Sequence, residues 1–182
     1  MRTVLLSWYL VGLVAVACVT PVLAEEADGC SHFRWDVTHE LAVMKQAPRP
    51  LTAASKPGAA APRLEVDKLY EVKLTPQSAV TYAVPPAKPT LDDSARGGLV
   101  RFHTGQPGLY RVSITSGHWI DVVEGAQAVK SKDFQGSHGC ERPHKIVLFE
   151  LPGEQDLVLQ LSGATASPVL IAITPVPITS KH

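Results

Sequence analysis

The sequence predicts an all-β protein: an antiparallel β-sandwich, jelly-roll-like, of about eight strands, with a short N-terminal helical segment. From residue 64 onward apolar and polar residues alternate with the period of two expected of half-buried strands. The 15 prolines and 13 glycines of the 182-residue chain supply turn residues, and Val and Thr, which favour strands, are frequent. Many short strands separated by turns are typical of sandwiches and barrels.

Eight segments carry the strand pattern: 70–74, 80–84, 100–103, 110–114, 118–124, 145–151, 156–161 and 169–174. The first four contain alternating apolar side chains, which predicts one buried and one solvated face. Lys145–Leu151 (KIVLFEL) lacks clean alternation. That segment is therefore expected to be a central strand covered on both faces.

The segment Cys30–Gln46 precedes the strands and carries apolar residues at helical spacing, namely Phe33, Val37, Leu41 and Met44. These intervals of four, four and three predict a short amphipathic helix that begins near Asp36. Phe33, Trp35 and Val37 also alternate with polar residues, so a short extended stretch is the alternative. We expect Trp35 to dock this segment onto the sandwich, and His39 and Glu40 to face water.

Residues 47–63 carry four prolines and six alanines with almost no large apolar side chain, so we expect an exposed linker there. The chain then divides into a signal peptide, a docking segment, this linker, the sandwich domain and a tail: 1–24, 25–46, 47–63, 64–176 and 177–182. The mature length of about 158 residues fits one domain with a sizeable core.

The first 24 residues have the pattern of a secretory signal. Arg2 supplies a positive charge, Val4–Cys18 is almost wholly apolar, and Ala24 is the small residue expected before a cleavage site. The pattern predicts a periplasmic or secreted protein. Two alternatives stay open: Val4–Leu23 is long enough to remain as an uncleaved membrane anchor, and Cys18 could be lipidated.

The charges of the chain balance, with 17 basic and 17 acidic residues. This argues against nucleic-acid binding, which rests on a surplus of Lys and Arg, and it gives no reason to expect adhesion to an acidic membrane surface. We expect no nucleic-acid partner and no stable membrane insertion after cleavage. The expected partner is an unknown small ligand, a glycan or an envelope protein.

Two cysteines, Cys30 and Cys140, remain in the mature chain. An even pair in an oxidising compartment predicts a disulfide that ties the N-terminal segment to a late loop. The alternative is a metal site, because His138, Cys140 and His144 form an H-x-C-x3-H cluster whose thiolate and imidazoles could bind zinc or copper.

The candidate ligand-binding face follows from a predicted hairpin. Thr115-Ser116-Gly117 suits a three-residue hairpin loop that pairs Ile114 with His118, Val112 with Ile120 and Tyr110 with Val122. The opposite face would then gather polar and aromatic side chains, namely Arg101, His103, Arg111, Ser113, Trp119 and Asp121. An indole beside guanidinium groups and a carboxylate suits a carbohydrate or an anionic ligand. The competing interpretation is an ordinary solvated sheet face.

Catalytic signatures are missing from the sequence. It contains no G-x-S-x-G elbow, no H-E-x-x-H and no phosphate-cradling glycine loop. We therefore expect a binding or accessory module without a cofactor. The alternative function is a metal-dependent enzyme, either a cupin-like dioxygenase or another histidine-centred metal site, although the H-x-H followed by Glu that cupins carry is absent.

The run Gly108-Leu109-Tyr110-Arg111-Val112-Ser113, followed by a turn and later by 156–161, resembles bacterial pre-peptidase C-terminal domains. The chain is also similar to unassigned exported proteins of Gram-negative bacteria that share a Trp-bearing, Cys-containing N-terminal segment. The resemblance covers about 64–174 and implies a small secreted β-sandwich with an accessory or binding role. It carries over no catalytic residues, and the acidic calcium-binding positions of those domains are not recognisable.

Overall fold

The computed structural model describes residues 29–58, 60–88 and 92–177. The predicted signal peptide lies outside the described residues, as do the alternatives of a retained anchor and of lipidation at Cys18, and most of the C-terminal tail. Among the described residues, no helix is both long and apolar enough to cross a membrane.

The described part of the chain consists mainly of strands. One α-helix, α1 (Thr38–Met44), and two 3-10 turns, Gly29–His32 and Gln77–Ala79, accompany them. The strands are β1 (Arg49–Thr52), β2 (Arg63–Leu64), β3 (Leu69–Lys73), β4 (Thr75–Pro76), β5 (Arg96–Thr104), β6 (Gly108–Ile114), β7 (Trp119–Glu124), β8 (Gln127–Val129), β9 (Ser131–Gly136), β10 (Lys145–Leu151), β11 (Gln155–Ala164) and β12 (Val169–Pro175).

These strands form two sheets, which confirms the predicted all-β sandwich. The first sheet has the order β1-β3-β12-β6-β10-β9; the second has the order β2-β5-β11-β7-β8, with β4 also paired to β5. The structure differs from the prediction in two details. The described residues hold twelve strands rather than about eight, and the sheets are mixed because β1 pairs with β3 and β2 with β5 in parallel.

The core lies between the two sheets and is built from the alternating apolar side chains. The first sheet contributes residues such as Val112, Ile114 and Ile171, and the second contributes Phe102, Leu159 and others. All five are fully buried. The period of two thus separates an inner from an outer face on each sheet, as the sequence predicted.

The predicted hairpin between β6 and β7 is wrong. β6 lies in the first sheet between β12 and β10, whereas β7 lies in the second sheet between β11 and β8. Thr115-Ser116-Gly117 therefore carries the chain from one layer to the other. Both strands still direct their apolar residues to the core. The predicted inner face of each strand is therefore confirmed, whereas the predicted pairing of β6 with β7 is not.

Two further stretches differ from the expectation. The predicted linker at 47–63 contains β1, which extends the first sheet, and β2, which extends the second. The predicted strand at 80–84 has no strand geometry and instead crosses the outer face of the second sheet. β10 is covered on both faces as expected, although it lies next to the edge strand β9 rather than in the middle of the sheet.

The N-terminal segment packs on the outer face of the first sheet. α1 begins two residues after Asp36, in agreement with the predicted helix, and the Cys30–Cys140 disulfide is present with its Cα atoms 4.6 Å apart. Phe33 and Val37 bury Ile146 beneath the segment. His39 is exposed as expected, but Glu40 is 1% exposed, so the prediction that it faces water is wrong.

Candidate functional site

The predicted ligand face is divided between the two sheets. Arg111 and Ser113 lie on the outer face of the first sheet, beneath the N-terminal segment, and both are buried. The Arg111 guanidinium donates to Glu40 Oε2 at 3.0 Å and to the Asp36 carbonyl at 2.7 Å, and it lies 5.0 Å from the centre of the Trp35 ring. Arg111 therefore holds the N-terminal segment in place and does not share a surface with Trp119.

Arg101 and His103 lie on the outer face of the second sheet, towards its β2 edge. Arg101 donates from Nε to the Ala61 carbonyl at 3.0 Å. His103 Nδ1 lies 3.0 Å from Asp156 Oδ1, which also accepts from Arg63 at 2.6 Å. The hydrogen bond with His103 first, and then the charge of Arg63, hold the pKa of the exposed Asp156 carboxyl below its usual value. These groups form a surface network of charges.

Trp119 and Asp121 lie on the same outer face, on β7. The register places Gln160 of β11 between Asp121 and Leu99 of β5, so β11 separates this pair from Arg101 and His103. Gln160 is fully buried because the stretch 82–84 passes over it: its Oε1 accepts from the amides of Ala83 and Val84 at 2.6 and 3.1 Å. On this face Arg101 and His103 thus form one pair, and Trp119 and Asp121 form another.

Asp121 positions the Trp119 indole. Its Oδ1 accepts from Trp119 Nε1 at 2.9 Å, and its Oδ2 accepts from the Ala87 amide at 3.4 Å. Asp121 is 7% exposed, whereas Trp119 is only half-buried. The carboxylate therefore fixes the ring from the covered side and leaves part of the ring accessible.

A cleft at the edge of the sandwich collects Trp119 with residues that the sequence analysis did not select. It is lined by Trp119, Ile120, Ser131, Phe134, Lys145 and Val147, and it encloses about 50 Å³. The lining comes from β7 of the second sheet and from β9 and β10 of the first. The chain crosses between the sheets at this edge, through the one-residue connection from β8 to β9.

Lys145 lies between the two aromatic rings of the cleft. Its Nζ is 5.3 Å from the centre of the Trp119 ring and 6.0 Å from that of Phe134, within the range of cation–π attraction. It donates to the His118 carbonyl at 3.1 Å. Burial first, and then the nearby charge of Lys88, lower the pKa of Lys145, while Asp121 opposes that shift.

His118, whose carbonyl accepts from Lys145, is 2% exposed. Its Nδ1 is hydrogen-bonded with the Ser116 hydroxyl, and its Nε2 has no hydrogen-bond partner among the described residues. Burial, with a smaller contribution from Lys145, lowers the pKa of His118 to about 3. The imidazole is therefore neutral at physiological pH and places no second positive charge beside Lys145.

The alternative metal cluster does not keep its three ligands. Cys140 is bonded to Cys30, so it offers no thiolate. His138 and His144 have ring centres 6.3 Å apart and line an open polar cavity of about 460 Å³ together with Glu141 and Arg142. Within the described ranges, no three His, Cys, Asp or Glu side chains are grouped as metal ligands.

Sequence reasoning selected Trp119 but missed Phe134 and Lys145. β9 (SKDFQG) has a single large apolar residue, so it carries no alternation by which a strand could be predicted. Phe134 was nevertheless visible as a lone aromatic residue among polar neighbours, and Lys145 as the only charge at the start of an apolar strand. Neither signal indicates which distant residue completes the cleft.

Comparison with family models, with curated proteins and with solved structures finds no match for this chain. The similarity to pre-peptidase C-terminal domains stays a prediction.

Proposed function

We propose that this protein is an exported, non-catalytic binding module whose cleft at the sandwich edge binds a saccharide. One observation carries the proposal: Phe134 is 64% exposed and lines the same cleft as the half-buried Trp119, and the ammonium of Lys145 lies 5.3 Å from the centre of the Trp119 ring and 6.0 Å from that of Phe134. Exposed aromatic rings offer flat apolar surfaces, and a polar group beside them can bond hydroxyls.

The exposure of Phe134 supports a ligand at this edge. An aromatic side chain left in water loses the free energy of burial that the core could have supplied, roughly 2 kcal/mol. Of the large apolar side chains in the described residues, only Phe134 and Leu109 are exposed. Phe134 differs from Leu109 because it adjoins a cleft that also contains Trp119 and Lys145.

The size of the cleft supports a saccharide laid across the edge rather than an enclosed small molecule. Pockets that enclose drug-sized ligands measure roughly 300–1,000 Å³, well above the enclosed volume of about 50 Å³ found here. A sugar ring can stack its apolar C–H face on Phe134 while its hydroxyls reach Ser131 and Lys145. The ligand would remain largely in solvent.

A binding role is supported by the state of the polar groups at the cleft. Asp121 is 7% exposed and accepts from Trp119 and from the Ala87 amide, so its carboxylate serves to position the indole. His118 is 2% exposed and does not line the cleft. Lys145 remains as a donor, which suits recognition.

Export is part of the proposal and is supported by two features. The first 24 residues have the composition of a secretory signal. The Cys30–Cys140 disulfide is of the kind that persists in oxidising compartments such as the periplasm or the extracellular space. An exported β-sandwich with a shallow aromatic cleft would act as an accessory module at the cell envelope or outside the cell.

The test is a saccharide screen that follows the tryptophan fluorescence of the purified protein. Binding should change the emission of Trp119, and Phe134→Ala should weaken binding about two- to tenfold, since stacking on a ring is worth roughly 0.5–1.5 kcal/mol. Leu109→Ala removes the other exposed apolar side chain and should leave binding unchanged. No saccharide binding, or binding equal in the Phe134 variant and in the parent protein, would contradict the proposal.

A further inference from the structure

We infer that the saccharide bound in this cleft is acidic, and that its anionic group, a ring carboxylate or a sulfate ester, pairs with the Nζ of Lys145. This inference rests on the proposed function, because it names the class of saccharide for the same cleft. The charges near Lys145 support it.

Lys145 is a half-buried cation without a carboxylate partner. No acidic side chain of the described residues lies within ion-pair distance of its Nζ, although Lys132 on the neighbouring strand pairs with Glu150 at 2.6 Å. Of the three donors on the Lys145 ammonium, one is directed at the His118 carbonyl at 3.1 Å. Withdrawing a charge from water without a counter-charge costs free energy, which an incoming anion would recover.

The neighbouring charges do not neutralise Lys145. Lys88 acts on Lys145 from the stretch that crosses the outer face of the second sheet, so a second positive charge faces the same region. Asp121 is the acidic group that acts on Lys145 from the same side, and its oxygens are engaged by Trp119 Nε1 and the Ala87 amide. His118 is neutral. The net charge of Lys145, Lys88 and Asp121 together is therefore positive.

The position of the charge between two rings favours an anion carried on a ring. A ligand that stacks on Phe134 brings its substituents towards Lys145, because the Nζ is 6.0 Å from the centre of that ring. A carboxylate or sulfate on a pyranose can therefore pair with the ammonium while the ring stays stacked. A neutral sugar can stack but leaves the ammonium without a counter-charge.

The experiment compares three probes of matched length: oligogalacturonate, a sulfated galactan oligomer and a neutral galactan oligomer. Affinities are measured by calorimetry for the full chain and for Lys145→Met, Lys145→Arg and Lys132→Met. The parent protein should bind an acidic probe at least about tenfold more tightly than the neutral one, because a charge-assisted hydrogen bond is worth about 1.5–3 kcal/mol. The two acidic probes distinguish a carboxylate from a sulfate.

Lys145→Met should abolish the preference for acidic probes, and the neutral probe, which loses only a hydroxyl contact with Nζ, should be weakened less than the acidic ones. Lys145→Arg should keep the preference because it keeps the charge, and Lys132→Met, which removes an exposed paired lysine on β9, should have no effect. Raised salt should weaken acidic but not neutral binding to the parent protein, which tests the inference even if Lys145→Met fails to fold.

The outcomes separate the two proposals. Equal, salt-insensitive binding of acidic and neutral probes would overturn the acidic class and leave the saccharide site standing. Binding of none of the probes, and of nothing in the wider saccharide screen, would overturn both. A preference for acidic probes that survives in Lys145→Met would overturn the assignment to Lys145.

Discussion

The side chains of Arg111 and Glu40 form a buried ion pair 3.0 Å long that joins the N-terminal helix to a central strand of the first sheet. Glu40 is 1% exposed, and its second oxygen accepts from the Thr174 hydroxyl at 2.8 Å. Thr174 and Arg111 are opposite each other on β12 and β6. The carboxylate therefore bonds two adjacent strands at once.

Removal of one partner of this pair should be strongly destabilising. Glu40→Ala leaves the Arg111 guanidinium buried without its counter-charge, and such a change costs about 3–5 kcal/mol. The measurement is urea unfolding followed by tryptophan fluorescence. Glu65→Ala, which breaks the exposed Arg49–Glu65 pair, is the matched control and should cost at most about 1 kcal/mol. Equal losses in the two variants would show that the buried pair does not secure the segment.

Gln160 should hold the stretch 82–84 against the second sheet. Its amide accepts from Ala83 and Val84 and donates to the Val84 carbonyl at 3.1 Å, so Gln160→Ala leaves three backbone groups without partners. We expect a loss of about 2–3 kcal/mol and faster proteolysis within 80–88. Limited proteolysis with mass spectrometry tests this.

Gln155→Ala is the control for that experiment, because Gln155 lies on the same strand and is exposed. It should change the stability by no more than about 0.5 kcal/mol and leave the cleavage pattern as it is. Cleavage in 80–88 at the same rate in the Gln160 variant and in the parent protein would show that other contacts hold the stretch. The hydrogen bond from the Tyr82 hydroxyl to the Leu161 carbonyl is the first to examine.

The fold class could be predicted because alternation is a local property of each strand. Tyr110, Val112 and Ile114 point to the core whichever sheet contains β6, so burial follows from the sequence alone. Pairing is different, because Thr115-Ser116-Gly117 suits a tight hairpin and also a crossing between layers. β6 pairs instead with β12 and β10, which lie more than 30 residues away in sequence and occupy both of its edges.

The candidate site was harder to predict than the fold for the same reason. Trp119 is conspicuous in the sequence, but its neighbours in the cleft, Phe134 and Lys145, come from two strands of the other sheet. Arg111, which local register placed beside Trp119, is buried beneath the N-terminal segment instead. A site built between two layers depends on the topology, and the topology depends on pairings that local patterns do not determine.

Loss of the disulfide should destabilise the fold by about 4–5 kcal/mol. Cys30 and Cys140 are 110 residues apart, and closing a loop of that length lowers the chain entropy of the unfolded state by an amount that corresponds to this loss. The measurement is denaturant unfolding of the Cys30→Ala, Cys140→Ala double variant. Thiol titration of the denatured, unreduced parent protein should find no reactive thiol on either residue. Two reactive thiols, or unchanged stability in the double variant, would contradict the prediction.

Acid should destabilise the protein through His118. Burial lowers the pKa of this imidazole to about 3 in the folded state, against an ordinary value of 6.5. As the pH falls below about 6.5 the unfolded state takes up this proton and the folded state does not, so the free energy of unfolding decreases until the pH reaches the folded pKa. Between pH 7 and about 5, where ordinary carboxyls are still largely ionised, the loss should be about 2 kcal/mol. His118→Gln should remove this pH dependence, whereas His138→Gln, at an exposed position, should keep it. Urea unfolding at a series of pH values tests this, and an identical slope in parent and His118→Gln proteins would show that folding does not lower the pKa of His118.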